Sequence, residues 1–158
     1  MASDYLVAVD CMTLIWGVRK QGPKEWLERA KILFDDFERQ KSQIIVPSIV
    51  VAEYLTAVEE SKRKDVASAI GLRFIIAPFD IKCTALAANL FWEGKQGRKM
   101  GSPDARKCLR ADSMIIATAR THGAKRFYSH DKDCRSLAQK AGMEPWNLPT
   151  HKESLFPE

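Results

Sequence analysis

Short, continuous apolar runs alternate along this chain with longer segments in which apolar residues recur at helical spacing. The runs have the length and composition of strands that are buried on both faces of a parallel sheet. They predict strands at residues 5–9, 43–46, 73–77, 126–128 and 143–146.

The intervening segments predict helices. In the clearest of them, residues 24–41, the apolar residues from Trp26 to Phe37 share one face. A later helix begins near Asp112 and is closed by Gly123, a residue type that commonly ends helices. Further helices are predicted at residues 13–18, 49–60, 65–70, 81–92 and 134–141.

This alternation predicts an α/β fold, a three-layer α/β/α sandwich with a central, mostly parallel sheet. A chain of 158 residues has the size of one domain. We expect the domain to span residues 1–146 and to be followed by a C-terminal surface tail at residues 147–158.

Four acidic residues occupy corresponding places in this pattern. Asp10 ends the first strand, and Glu53 lies in the apolar first turns of the helix after the second strand. Asp112 begins its helix, and Asp131 follows the strand at 126–128. Because the carboxyl ends of parallel strands meet at one edge of the sheet, we expect the four carboxylates to lie together there.

Two of these acids also have ordinary structural explanations. Asp10 is a suitable N-cap for the helix that follows it. Glu53 is costly to bury without a partner, and an arginine or lysine would satisfy it as well as a metal ion would.

Carboxylates gathered in one place need a compensating cation. Two unit charges about 4 Å apart repel by roughly 4 kcal/mol at an effective dielectric constant near 20. Oxygen ligands without neighbouring His or Cys favour Mg²⁺ or Mn²⁺ over zinc. Because such ions activate water and stabilise charge on phosphate, the cluster predicts phosphodiester hydrolysis.

Net charge is consistent with a nucleic-acid substrate. There are 25 Lys and Arg residues against 20 acids, a formal net charge of +5, which plain solubility also explains. A glycine-rich, cationic segment at residues 93–103 predicts a flexible loop that either connects helices in solvent or binds phosphates. The candidate RNA-binding residues are Lys95, Arg98, Lys99, Arg106, Lys107 and Arg110.

Composition argues against several other classes of protein. The four cysteines are irregularly spaced, which excludes the paired spacing of zinc sites and favours packing roles. No apolar run is long enough to span a membrane, and the first residues do not resemble a secretory signal. We therefore expect a cytoplasmic protein.

The ordered set of motifs resembles the PIN-domain nucleases over nearly the whole chain. The motifs are Asp10 after an apolar strand, P-S-I-V-V-A-E ending at Glu53, A-D-S-M-I-I-A-T-A containing Asp112, and S-H-D-K-D containing Asp131. This resemblance implies a Mg²⁺- or Mn²⁺-dependent ribonuclease acting on single-stranded or structured RNA. Many small members are VapC-like toxins, which form homodimers and are silenced by an antitoxin that covers the acidic pocket.

Some positions near the motifs differ from the family pattern or have two interpretations. Met12 stands where members often carry Ser or Thr. Ser129 is either a support for a ligand carboxylate or a turn residue. Asp133 is either an outer metal ligand or the N-cap of the next helix, and the cap is the better explanation. We assign no role to His130.

Three other functions fit parts of the sequence. A housekeeping RNA-processing nuclease would have the same site, and a non-catalytic PIN-fold protein would bind RNA or a partner without a metal effect on stability. A phosphatase or receiver domain also uses aspartates at the edge of a sheet, but it needs a lysine on a later strand that the order here does not supply.

Overall fold

A computed structural model describes residues 5–97 and 101–150, and within them a single sheet forms the centre of the molecule. Its strands lie in the order β3-β2-β1-β4-β5, and all of their pairings are parallel. The strands are β1 (Leu6–Val9), β2 (Gln43–Pro47), β3 (Ile75–Ala77), β4 (Arg126–Tyr128) and β5 (Glu144–Trp146).

Seven α-helices flank this sheet in the described ranges, which confirms the predicted α/β/α sandwich. They are α1 (Cys11–Leu14), α2 (Lys24–Gln40), α3 (Ser48–Leu55), α4 (Arg63–Arg73), α5 (Ile81–Gly97), α6 (Pro103–Thr121) and α7 (Lys132–Lys140). A π-helical turn, Ile15–Arg19, continues α1, and a 3₁₀ turn, Glu60–Lys62, precedes α4.

The core lies along the two central strands. Ala8 and Val9 of β1 and Phe127 of β4 are completely buried. Strands covered on both faces are expected to be continuously apolar, and this is the pattern that predicts them from the sequence. The rigid centre of the sheet therefore carries the loops that follow β1 and β4.

Strand order identifies the edge at which a ligand site is expected. The chain passes from β1 outward to β2 and β3, and later returns to place β4 on the other side of β1. In open α/β sheets, ligands bind beyond the carboxyl ends of the strands at such a reversal of order. Here that position is occupied by Asp10 after β1 and by residues 129–131 after β4.

The predicted flexible loop at residues 93–103 is wrong at both of its ends. Residues 93–97 belong to α5, and Pro103 begins α6. Gly94 is a packing glycine: a Cβ there would lie 2.7 Å from Leu109 Cδ1 of α6. Since α5 and α6 approach closely at this point, the glycine fits a helix interior that would otherwise disfavour it.

The start of α6 corrects the predicted position of Asp112. Ser102 caps the helix by accepting a hydrogen bond from Ala105 N at 3.2 Å, and Pro103 takes the first helical position. Both are standard helix-start residues. Asp112 is therefore in the middle of α6 and not at its beginning.

Other element bounds differ from the predictions in smaller ways. Helix α3 ends at Leu55, where a helix to residue 60 was expected. Ser48 is the first residue of α3, and its Oγ accepts a hydrogen bond from Phe79 N at 3.3 Å. This contact joins the segment after β2 to the segment after β3.

The expected surface tail does not begin at residue 147. Leu148 is buried, and the guanidinium of Arg29 on α2 donates to its carbonyl oxygen. Residues 151–158 lie outside the described ranges. No helix in those ranges has both the length and the apolar character required to cross a membrane.

Candidate metal-binding active site

All four predicted acids line one cavity of about 150 Å³ at the edge of the sheet. We call this cavity the acidic pocket. Its walls come from the ends of β1 and β4 and from α1, α3, α6 and α7. The lining residues are Asp10, Cys11, Met12, Glu53, Asp112, Ile115, His130, Asp131 and Cys134.

Asp10 has both of the roles that the sequence suggests, because it caps a helix and also lines the pocket. Its Oδ1 accepts a hydrogen bond from Thr13 N at 2.9 Å, which caps α1. Its Oδ2 accepts a bond from the Ser129 hydroxyl at 2.5 Å. With only 9% of the residue exposed, these bonds fix the carboxylate at the back of the pocket.

Ser129 connects two of the acids. Besides donating to Asp10, its hydroxyl oxygen accepts a hydrogen bond from Asp131 N at 3.1 Å. The backbone carbonyl of Ser129 is in turn held by Arg135 Nη1 at 2.8 Å. Ser129 therefore positions Asp10 and Asp131 relative to each other, as the supporting role requires.

Asp131, not Asp133, caps α7. Its Oδ1 accepts hydrogen bonds from Asp133 N at 2.8 Å and from Cys134 N at 3.4 Å. Asp133 lies in the first turn of the helix and is absent from the pocket lining. The interpretation of Asp133 as the N-cap is thus wrong.

The environment of Glu53 disfavours its charged form. Partial burial and the charge of Asp10 raise its pKa above the usual value, and a hydrogen bond with Cys11 opposes this. Among the described residues, no lysine or arginine forms an ion pair with Asp10, Glu53 or Asp131. Within the described ranges, Glu53 is therefore not half of an ion pair.

Two cysteines line the pocket, although sequence spacing predicts only packing roles for them. Burial, with the charges of Glu53 and Asp10, raises the pKa of the Cys11 thiol to about 12. Burial and then the charges of Asp112, Asp10 and Asp131 raise the pKa of the Cys134 thiol well above its usual value. Both residues are thus neutral thiols beside anionic oxygens.

His130 also lies at the pocket. Its Nδ1 is 4.0 Å from Asp10 Oδ2. Its ring packs edge-on against Trp16 and Trp26, with centroids 4.9 and 5.5 Å away. The two tryptophans stack on each other at 5.0 Å, so the imidazole is held in place by an aromatic pair.

Exposed basic residues lie on both α5 and α6. Arg106, Lys107 and Arg110 are exposed on the first turns of α6, ahead of Asp112. Lys95 is exposed near the end of α5, with its Nζ 5.8 Å from the centroid of the Trp92 ring. Arg98 and Lys99 lie outside the described residues.

Comparison with known proteins identifies the family. Residues 13–140 match the sequence model of the PIN domain. The chain belongs to the PIN-domain family. No curated protein sequence matches it.

Solved structures share this PIN fold at low sequence identity. VapBC2 from Rickettsia felis, bound to a DNA fragment from their promoter, has a TM-score of 0.60 and 17% identity over 91% of this chain and 99% of that one. FitAcB from Neisseria gonorrhoeae has a TM-score of 0.58 and 19% sequence identity, and the match covers 90% of this chain and 97% of that one. DNA-bound VapBC from Salmonella typhimurium has a TM-score of 0.58 and 17% sequence identity, and the match covers 92% of this chain and 99% of that one. At these identities the similarity establishes the fold.

Proposed function

We propose that this PIN-domain protein is a divalent-metal-dependent endoribonuclease that hydrolyses RNA phosphodiester bonds. Its site residues are the four acids, Asp10, Glu53, Asp112 and Asp131. The observation that carries this proposal is their convergence in one small pocket, where three of them have no lysine or arginine partner among the described residues. A cation is the most direct compensation for that arrangement.

The donor atoms favour a hard ion. The acidic side chains that line the pocket are four carboxylates, and carboxylate oxygens are the ligands that Mg²⁺ and Mn²⁺ prefer. Such an ion, when bound, supplies Lewis acidity toward the phosphate and makes an attacking water more acidic.

The chain's own residues prepare the site for that ion. Ser129 and the backbone of α1 hold Asp10 in one orientation, and the first turn of α7 holds Asp131. Met12 lines the pocket without a hydroxyl, and Ser129 supplies the hydroxyl contact that Met12 lacks. Because Asp10 and Asp131 are already held in place, they lose little conformational entropy when an ion binds.

The basic face of α5 and α6 would hold the substrate. Lys95, Arg106, Lys107 and Arg110, with Arg98 and Lys99 between the helices in sequence, supply cations that bind phosphates without sequence preference. Single-stranded RNA, including loops of structured RNA such as tRNA or rRNA, fits a narrow pocket better than a continuous duplex does.

The toxin of a toxin–antitoxin pair is the biological role that we propose. VapC-like members of the family are small ribonucleases of this kind, and the VapBC structures share the fold. On this proposal, the protein forms a homodimer, and an antitoxin protein covers the acidic pocket until it is removed.

RNA cleavage in the presence of Mg²⁺ or Mn²⁺ tests the enzymatic activity. The wild type should cleave RNA, chelation should stop the reaction, and Asp10→Asn and Asp112→Asn should each reduce the rate to background. Equal activity in the variants would indicate a contaminating nuclease and refute the assignment.

Expression in a bacterial host tests the toxin role separately. The wild type should arrest growth, whereas Asp112→Asn should not, and co-expression of a small neighbouring reading frame should restore growth. An RNase that is active in vitro but does not affect growth would indicate a housekeeping enzyme.

A further inference from the structure

A second group of metal-ligand side chains lies where the start of α5 is close to the end of α6. Asp80 immediately precedes α5, Cys83 is in its first turn, and His122 follows the end of α6. One ligand atom from each of these residues lies within 4.8 Å of the other two. We call this group the Asp-Cys-His cluster.

The spacing of the ligand atoms is close to that of a tetrahedral zinc site. Cys83 Sγ is 3.5 Å from Asp80 Oδ1, and His122 Nε2 is 3.8 Å from Asp80 Oδ2. With Zn–S near 2.3 Å and Zn–N or Zn–O near 2.0–2.2 Å, tetrahedral ligand atoms lie roughly 3.3–3.7 Å apart. The sulfur already has that separation from one Asp80 oxygen, and the imidazole faces the other oxygen. Because one ligand atom of each residue lies within 4.8 Å of the other two, side-chain movements of about 1 Å would bring the three atoms to these separations.

Local hydrogen bonds account for the metal-free arrangement. Asp80 Oδ1 accepts a bond from Lys82 N at 3.0 Å, so Asp80 caps α5. His122 Nε2 lies 2.9 Å from the carbonyl oxygen of Pro78. The Cys83 thiol faces two acceptors, Asp80 Oδ1 at 3.5 Å and the Pro78 carbonyl oxygen at 3.8 Å. Asp80 Oδ2 lies 3.8 Å from His122 Nε2. Binding an ion would exchange the Pro78 contact of the imidazole for a coordinate bond.

The cluster is both enclosed and reachable. Cys83 is completely buried, whereas the side chains of Asp80 and His122 are 34% and 25% exposed. An ion can therefore enter from solvent, bind three protein ligands and keep water as a fourth ligand. Three protein ligands and one water complete a four-coordinate site.

We infer that the Asp-Cys-His cluster binds a zinc-like ion that ties the start of α5 to the end of α6. It shares no residue with the lining of the acidic pocket. His122 follows Asp112 by ten residues, which corresponds to about 15 Å along the helix axis. Sulfur, nitrogen and oxygen donors together favour Zn²⁺ over the Mg²⁺ or Mn²⁺ proposed for the acidic pocket.

Cobalt and zinc binding to the metal-free full chain test the inference. One equivalent of Co²⁺ should produce a thiolate-to-cobalt absorption band, and Zn²⁺ should raise the melting temperature. The band should disappear in Cys83→Ser and persist in Cys108→Ser, a matched change at an exposed cysteine of α6.

Three further variants separate this site from the acidic pocket and from a folding defect. Cys11→Ser and Cys134→Ser should retain the cobalt band. His122→Gln changes a partly exposed side chain and should weaken zinc binding by about 100-fold or more, since loss of an outer-shell partner alone costs about 10- to 100-fold. Zinc affinity unchanged in His122→Gln, a band retained in Cys83→Ser, or a band lost with either pocket cysteine would overturn the inference.

Discussion

At the scale of single residues, the Ser129 hydroxyl determines how two acids face the pocket. It donates to Asp10 and accepts from the backbone of Asp131. A supporting hydrogen bond of this kind is typically worth about 10- to 100-fold in metal affinity or activity. The position therefore allows a test of whether orientation, and not only charge, matters in the site.

We predict that Ser129→Ala lowers both Mn²⁺ affinity and kcat/KM for RNA cleavage by roughly 10- to 100-fold. Loss of the buried bond to a carboxylate should also reduce the free energy of unfolding by about 1–3 kcal/mol. Titration calorimetry, cleavage assays and urea unfolding measure the three quantities. Ser129→Thr keeps the hydroxyl and should recover most of the metal affinity, so equal losses in both variants would contradict the role.

Glu53 gives the metal-free protein a defined pH dependence. Its pKa is raised above the ordinary value of 4.5 by burial and by Asp10, so the folded state binds this proton more tightly than the unfolded chain does. The resulting stability is fully present below that ordinary value and is lost as the pH rises through the raised pKa.

Replacing the Glu53 carboxyl by a neutral amide should remove this loss of stability at higher pH. In EDTA near pH 7, we predict that Glu53→Gln is more stable than the wild type by up to about 1 kcal/mol, a small value because the side chain is only partly buried. The difference should vanish near pH 4, where both proteins carry a neutral group. Urea unfolding at the two pH values measures it. Glu60→Gln at an exposed position is the control, and equal stabilities of wild type and Glu53→Gln near neutral pH would refute the prediction.

Individual site residues are predictable from the sequence where a strand end fixes their position. Asp10 and Asp131 follow strands, so the geometry of a parallel sheet brings them together. Cys11 and Cys134 are not predictable as pocket residues, because their side chains reach it through the packing of α1 and α7. Asp133 has the residue type of a good cap, but so has Asp131, and only the coordinates show that Asp131 caps α7.

At the scale of elements, the crossing of α5 and α6 depends on Gly94. We predict that Gly94→Ala reduces the free energy of unfolding by about 1–3 kcal/mol, because its Cβ would lie 2.7 Å from Leu109 Cδ1. Chemical denaturation measures the change.

A second helical glycine supplies the matched control. Gly71 lies in α4, and a Cβ there would meet nothing within 4 Å. Gly71→Ala should therefore stabilise the protein by about 0.4–1 kcal/mol through the entropy of the unfolded chain. If both substitutions change stability equally, close helix packing at Gly94 is not the cause.

Element types are largely predictable because each strand and helix has its own hydrophobic period. The segment at 93–103 is the main exception, since its glycines and cations are typical of a loop. Gly94 leaves room for the Leu109 side chain, and this contact between two helices is not encoded in the local sequence. The Ser102-Pro103 helix start is present in the sequence but is outweighed by the charged composition around it.

At the scale of the whole molecule, charge is distributed unevenly around the site. The four acids are gathered in one pocket, while Arg106, Lys107 and Arg110 are exposed along the helix that carries Asp112. Cations on the helix that carries Asp112 attract an anionic polymer, whereas the pocket itself repels phosphate until a metal ion binds.

We predict that reversing two of these charges weakens RNA binding and its salt dependence together. For Arg106→Glu combined with Lys107→Glu, the slope of log K against log salt should fall by about 0.7 for each phosphate of single-stranded RNA that is no longer neutralised. Fluorescence anisotropy at several salt concentrations, with Asp112→Asn present to prevent cleavage, measures the slope. Lys64→Glu on the exposed surface of α4 is the control. An unchanged slope in the double variant would place the RNA elsewhere.

The most direct test of the central claim is calorimetric titration of Mn²⁺ into the metal-free protein. We would measure it in a His122→Gln background, so that the Asp-Cys-His cluster does not contribute. Binding should be clear in that protein and weaker by at least about 100-fold when Asp10→Asn and Asp112→Asn are added, because a divalent ion depends on its anionic oxygen ligands. Equal Mn²⁺ affinity in a folded protein without these two carboxylates would contradict the assignment of the acidic pocket as a metal site.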